Sequence, residues 1–140
     1  MRSWKKEIIH FSYKMPFLLA FIRHVDSFGD AKIEEILEDY IAFYQNRITR
    51  GLPVDRSTCP YNETMLQDKK AMQRSMLTNP FEKFERKRFL YYSKDLSVIS
   101  MNHALYSQME AGDWERVRRQ MEEDLAEYYA KVEGAVLVKR

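Results

Sequence analysis

Cysteine, glycine and proline are all scarce in this chain of 140 residues. Cys59 is the only cysteine, and there are four glycines and four prolines. One thiol cannot form an internal disulfide, which excludes the disulfide-stabilised secreted class and favours a reducing compartment. So few chain breakers predict long regular elements, and neither an internal repeat nor a low-complexity tract interrupts them.

The chain also lacks an apolar run long enough to cross a membrane. Its clearest run, Met15–Ile22, has eight residues, whereas a transmembrane helix needs about 20. Basic residues precede it, as in a signal peptide, but Arg23 and His24 follow where a cleavage site would need small residues. We therefore interpret the run as a buried helix and expect a cytoplasmic protein with no membrane partner.

Motifs of the common enzyme classes are missing as well. There is no Gly-Lys-Ser/Thr phosphate loop, no Gly-x-Ser-x-Gly elbow and no His-Glu-x-x-His pair. His10, His24 and His103 lie far apart, and together with Cys59 they have no metal-ligand spacing on one element. Adjacent acids point about 100° apart on a helix, so they form no shared acid–base site. We therefore expect no metal, no cofactor and no enzymatic activity in this chain alone.

Apolar residues make up 45% of the chain and aromatic residues 14%, which is enough for the core of one domain over residues 1–140. Most of the pattern is helical. Apolar residues recur every three or four positions over 33–48, which predicts a helix that Asp30 caps and Gly51 ends.

Four shorter segments also have helical patterns. Two of them cover about 16–25 and 62–77. Asn79-Pro80-x-Glu82 combines a cap, a first-turn proline and a third-position acid, which predicts a new helix that ends near Lys87. Asn102 is the predicted cap of a further short helix that ends near Gly112.

One β-hairpin is predicted among the helices. Phe89–Tyr92 and Leu96–Ser100 are rich in strand-forming residues. A two-residue loop at 94–95 would place Tyr91 opposite Val98. Helices, then a hairpin that would be the wing, then helices again is the order of a winged-helix domain; ordinary α+β packing without that relation is the alternative. The predicted class is mainly α (α+β), winged-helix-like, with one hairpin and a long C-terminal helix.

The long C-terminal helix is predicted to start at an Asp113 cap and to extend a core of about 15–106 by a segment of about 113–133. Its apolar stripe spans under three heptads, so packing onto its own domain is expected, and Ala135–Arg140 would be a loose end or a short strand. The alternative is a dimer seam or a bridge to another domain. The anchoring residues would then be Trp114, Tyr128 and Tyr129.

Charge is unevenly distributed, although the net charge is only +2. Residues 69–95 contain eight basic and three acidic residues, a net of +5, which leaves −3 for the rest of the chain. Bases on a helix and on the following hairpin suit a surface that follows a phosphate backbone; docking on an acidic protein surface is the alternative. The predicted nucleic-acid contacts are Lys69, Lys70, Arg74, Lys83, Arg86, Lys87, Arg88 and Lys94.

Several of the same residues carry a resemblance to a known family. Asn-Pro-Phe-Glu-Lys-Phe-Glu-Arg at 79–86 is followed by Phe-Leu-Tyr-Tyr at 89–92, by Asp95-Leu96 and Ile99, and by His-Ala-Leu at 103–105; Phe-Tyr-x-x-Arg at 43–47 precedes them. Residues 15–106 thereby resemble a C-terminal domain of bacterial DEAD/DEAH-box helicase-like and restriction-type proteins. The resemblance implies an accessory domain of a larger protein that acts on DNA or RNA. No catalytic residue is carried over, because the motor's own motifs are absent, and the chain after about Gly112 lies outside the resemblance.

Overall fold

Helices dominate the backbone, and a small sheet joins three parts of the chain. The computed structural model describes the backbone of residues 11–139 and the side chains of residues 11–134. The mainly α class with α+β character, the hairpin and the long C-terminal helix are confirmed. In chain order the elements are α1 (Lys14–His24), β1 (Asp30–Lys32), α2 (Ile33–Thr49), α3 (Glu63–Leu66), α4 (Lys69–Met76), a π-helical turn (Leu77–Phe81), α5 (Glu82–Arg86), β2 (Leu90–Ser93), β3 (Val98–Met101), α6 (His103–Gln108) and α7 (Ala111–Lys139).

The sheet is antiparallel, with the strand order β1-β3-β2. The hairpin of β2 and β3 was predicted, but its register was not: Tyr91 lies opposite Ser100, not opposite Val98. The loop has four residues, 94–97, rather than two, and Ser97 adopts a left-handed conformation with φ of 55°. Because the register differs by two residues, each side chain stays on the predicted face.

Strand β1 was not predicted, and it changes how α2 begins. Asp30 pairs with Ser100 in the sheet, so it is not the helix cap. Lys32 precedes the helix in an extended conformation and makes no side-chain cap. The other end agrees with the prediction, since Gly51 follows α2 with φ of 73°, a conformation that glycine adopts without steric cost.

The predicted helix over 62–77 is divided in two. The side chain of Asn62 accepts a hydrogen bond from the Met65 N–H at 2.9 Å and caps α3. The side chain of Asp68 accepts one from the Ala71 N–H at 3.1 Å and caps α4. Because Asp68 satisfies a free N–H of α4, a second helix begins there instead of the first continuing.

The predicted new helix start at Asn79 is wrong, because the chain stays helical from α4 through the π-helical turn into α5. An α-helix advances about 100° per residue, so an unbroken helix would place Phe81 about 180° from Met72, on the solvent side. The wider π-helical turn absorbs about one residue. As a result Phe81 returns to the buried side with Met76 and is only 3% exposed, while Pro80 is accommodated within the turn.

The buried core joins α1, α2, α4 and the sheet. The apolar run in α1 is buried as predicted, with Phe17 and Phe21 fully enclosed. Burial of that apolar surface is the main source of stability for a domain of this size. The core members that are completely or almost completely buried include Phe17, Phe21, Ile36, Tyr40, Tyr44, Met72, Met76, Leu90 and Ile99.

Tyrosine rings form one end of this core. Tyr61 stacks on Tyr13 with ring centroids 4.8 Å apart and meets Tyr44 edge-on at 5.0 Å. Its hydroxyl lies 2.9 Å from that of Tyr40 and 2.7 Å from the hydroxyl of Ser75. Burial raises the pKa of Tyr61 to about 12 and the pKa values of Tyr40 and Tyr44 well above the ordinary value.

The last helix, α7, packs against α1. It begins at Ala111, so Asp113 is not its cap; that carboxylate lies in the first turn and accepts a hydrogen bond from the Glu110 N–H at 3.0 Å. The helix continues to Lys139, which corrects the expectation of a loose end or strand after residue 135. Tyr129 and Val132 are the buried positions of its described part.

The π-helical turn leads to a prediction about chain length. Deleting the exposed Thr78 and replacing Pro80 by alanine should convert the turn into regular α-helix without rotating Phe81 out of the core. We expect this variant to stay within about 2 kcal/mol of the parent in urea unfolding. Deletion of the exposed Ala42 in α2 is the control: it must rotate Tyr44 away from the core and should abolish cooperative unfolding. Equal damage from both deletions would contradict the role assigned to the turn.

The buried phenols lead to a prediction about alkaline pH. Above about pH 10 the unfolded chain loses phenolic protons that the folded state retains, so the free energy of unfolding must fall as pH rises. For Tyr61 this applies from about pH 10 up to its folded pKa of about 12. Urea unfolding of the parent and of Tyr61→Phe should therefore differ in slope by about 1.4 kcal/mol per pH unit in that window. Parallel curves would show that this phenol titrates normally.

Candidate nucleic-acid interface

Three of the predicted contacts lie on α4, and they have different surroundings. Lys70 and Arg74 are one helical turn apart, are exposed, and point away from the buried methionines of the same helix. Lys69 lies at the side of α4, where it lines a shallow depression with Glu34 and Glu38 of α2. The α4 contribution to a basic surface therefore comes mainly from Lys70 and Arg74.

The π-helical turn brings a third base onto the same side of the helical run. Arg86 lies twelve positions after Arg74, which in regular α-helix would place it about 120° away; with one residue absorbed, the angle falls to about 20°. Arg86 forms an ion pair with Glu82 at 3.2 Å. Lys70, Arg74 and Arg86 therefore form one row, defined here as the helical row.

The hairpin side of the patch is exposed too. Arg88 lies two residues after the end of α5 with φ of 63°, and its N–H donates to the Glu85 carbonyl at 2.9 Å. Lys87 and Arg88 are exposed just before β2, and Lys94 is exposed in the hairpin loop. Exposed bases therefore lie both on the helices and at the hairpin, as the sequence pattern predicts.

No acid of α7 forms an ion pair with these bases in the part of the chain that the structure describes. Arg118 pairs with Glu115 and Glu122 of its own helix, and Arg116 pairs with Asp113. Among the described residues, Arg86 alone of the eight predicted contacts forms an ion pair. The patch is therefore not neutralised by the acidic helix in the described structure.

Lys83 occupies a different setting from the other bases, because it is half-buried. Burial lowers the pKa of Lys83, and the neighbouring positive charges of Lys14 and Arg86 lower it further. Sequence reasoning missed Lys14, which lies outside the basic window and reaches it only through packing. Phe17 of α1 stacks on Phe84 of α5 with centroids 5.9 Å apart, and this contact joins the two helices.

The predicted anchors of a protein interface make contacts inside their own chain. Tyr129 is 5% exposed, donates to the Val54 carbonyl at 2.5 Å and lies 3.5 Å beneath the guanidinium of Arg47. Tyr128 donates to a carboxylate oxygen of Asp55. Trp114 is half-buried, with its ring 6.0 Å from that of Tyr106.

Asp55 carries a buried, hydrogen-bonded carboxylate that the sequence did not indicate as a candidate. Its carboxylate is only 6% exposed and accepts hydrogen bonds from the Ser12 N–H at 2.9 Å and the Ser12 hydroxyl at 2.5 Å. The Tyr44 hydroxyl lies 2.7 Å from the same Ser12 oxygen. Ser12 is completely buried. Because Tyr128 donates to the same carboxylate, Asp55 links α7, the loop before α3 and the start of α1.

Histidine and cysteine contribute no centre of their own within residues 11–134. His24 binds Asp39 at 2.9 Å, and His10 lies outside the described residues. Burial raises the pKa of Cys59, whose sulfur is 3.3 Å from the Tyr13 hydroxyl. No group of three His, Cys, Asp or Glu side chains among the described residues could hold a metal ion.

Neither a membrane span nor a known relative is found for the described structure and the sequence, respectively. Over the described part of the chain, every helix is too short or too polar to cross a bilayer. Comparisons with protein-family models, with curated proteins and with solved structures find no match. The resemblance to helicase-associated domains therefore stays a prediction.

The Asp55 contacts lead to a prediction about stability. Asp55→Ala leaves the Ser12 and Tyr128 donors without their acceptor in a buried site, so we expect the free energy of unfolding to fall by about 3 kcal/mol. The matched control is Asp95→Ala in the exposed hairpin loop, which should change it by under about 0.5 kcal/mol. Urea unfolding followed by circular dichroism measures both. A loss for Asp55→Ala no larger than the control's would show that the contacts contribute no net stability.

Proposed function

We propose that this chain is a non-catalytic accessory module that binds the sugar-phosphate backbone of DNA or RNA within a larger bacterial helicase-like or restriction-type protein. One observation carries the proposal: the eight predicted bases lie on α4, on α5 and in the segment from there to the hairpin loop, and among the described residues no acid of α7 forms an ion pair with them. In this role the partners are nucleic acid and the other domains of the parent protein, and the compartment is the cytoplasm.

The chemistry of the role is electrostatic. Each phosphate neutralised by a lysine or arginine releases condensed counterions, so affinity falls as salt rises. The helical row would lie along one stretch of backbone, and Lys94 of the hairpin loop would reach a second. Lys69 would add little, because Glu34 and Glu38 line the same depression.

The element order supports the same role. A hairpin that follows a basic helical run is the arrangement on which the winged-helix resemblance depends, and here β1 anchors that hairpin from its other side. Two aromatic residues of the resembling segment join the helical run to the hairpin: Phe81 is buried, and Tyr92 meets it edge-on at 6.3 Å. The bases are therefore carried on packed elements, which limits the entropy lost on binding.

The dimerisation alternative depends on Trp114, Tyr128 and Tyr129. Their described contacts are with their own chain, so no observation favours that alternative over nucleic-acid binding.

Fluorescence anisotropy with labelled duplex and single-stranded DNA and RNA over a salt series tests the proposal. The triple variant Lys70→Gln/Arg74→Gln/Arg86→Gln should lose at least tenfold in affinity at low salt. The magnitude of its log–log salt slope should fall by about 2 to 3, because about 0.9 is expected per phosphate contact on duplex DNA.

The matched control removes three exposed bases outside the patch: Arg23→Gln/Arg50→Gln/Lys131→Gln. The net charge changes equally in both triple variants, so the control should retain most of the affinity and nearly all of the slope. Equal losses in the two variants, or no binding by the parent protein even at low salt, would overturn the proposal. Binding to an acidic protein but to no nucleic acid would favour the docking alternative.

A further inference from the structure

The patch has a second centre where α1 meets α5. Lys14 is exposed at the first position of α1, and Lys83 is half-buried in α5. We infer that these two lysines hold one phosphate group of the bound nucleic acid between them. The inference rests on the proposed function and adds to it a residue, Lys14, from outside the basic window.

The geometry comes from an aromatic contact that joins the two helices. Phe17 stacks on Phe84 at 5.9 Å with an interplanar angle of 28°, and it meets Phe81 edge-on at 6.3 Å. Lys14 is three residues before Phe17, so it lies about one turn away on a neighbouring part of the same face. Lys83 is next to Phe84. Lys14 and Lys83 therefore lie on two helices that this packed contact joins, each within three residues of one of its rings.

Within the described part of the chain, neither lysine of this centre has an ion-pair partner. Burial lowers the pKa of Lys83, and the positive charges of Lys14 and Arg86 act in the same direction. Glu82 acts in the opposite direction, but it is ion-paired with Arg86. No acid of the described residues lies within ion-pair distance of Lys14 or Lys83. An anion between the two amines would remove their repulsion and supply hydrogen-bond acceptors to both.

A backbone phosphate is the anion that fits this position best. Its two non-bridging oxygens can accept from two ammonium groups that approach from different sides. Arg86 belongs to the helical row and also influences Lys83, so the centre is continuous with the surface proposed to follow the backbone. A free phosphate ion would offer the same chemistry, so a DNA duplex and inorganic phosphate must be compared as ligands.

The first readout is the pKa of Lys83, measured by NMR on the side-chain carbon next to the amine. Lys14→Gln should raise this pKa, because it removes a neighbouring like charge; the control Lys32→Gln, an exposed lysine of β1, should leave it unchanged. A short DNA duplex should raise the Lys83 pKa in the parent protein more than inorganic phosphate does at the same phosphate concentration. A Lys83 pKa unaffected by both Lys14→Gln and the duplex would overturn the inference, and an equal response to inorganic phosphate would identify a free-anion site instead.

The second readout is the salt dependence of duplex binding. If the two lysines share one phosphate, Lys14→Gln and Lys83→Gln should each weaken binding several-fold, and the double variant should lower the magnitude of the slope by about one contact, not two. A double variant that loses two contacts, or a Lys14→Gln variant with parental affinity, would overturn the shared phosphate while leaving the proposed function intact. Failure of the parent protein to bind any duplex would overturn the proposed function itself.

Discussion

The wide turn at Leu77–Phe81 is the constraint on which both the core and the surface of this protein depend. Absorbing about one residue rotates everything after it by about 100°. That rotation brings Phe81 into the core and, through the same change, aligns Arg86 with Arg74 on the outside. A regular helix over the same residues would bury a different set of side chains and break the helical row. This one turn therefore determines both which side chains are buried and which bases lie together on the surface.

A second constraint is the burial of hydroxyl groups and one carboxylate at the end of the core. Burying Asp55 is costly unless its acceptors are filled, and Ser12 and Tyr128 fill them. Each partner comes from a distant part of the chain, so the network holds the start of α1, the loop before α3 and α7 together. Arg47 strengthens the same junction through Pro53 at 2.6 Å and Glu133 at 2.7 Å.

Local patterns in the sequence predicted the features that depend on local physics. The buried run of α1, the stop at Gly51 and the hairpin all follow from periodicity or from a turn-forming residue. The errors arose where tertiary contacts decide. Asp30 resembles a cap until β3 provides a strand partner, and Asn79-Pro80 resembles a helix start because a helix rarely contains proline. Lys14 and Asp55 acquire their roles only through packing, so no pattern along the chain indicates them.

Ion pairs within α7 help to explain how a chain with a net charge of only +2 can still have a basic surface. Arginine–carboxylate pairs three and four residues apart on an exposed helix contribute little to stability, because solvent screens them. Their larger effect is on the field outside the protein, because Asp113, Glu115 and Glu122 are compensated on their own helix and form no ion pair with the bases of α4, α5 and the hairpin in the described structure. A nearly neutral chain can therefore present a basic surface of short range, over about one Debye length of 8 Å at physiological salt. Such a surface favours contact with a phosphate backbone already held nearby over attraction from a distance, which suits an accessory module that acts beside a larger partner domain.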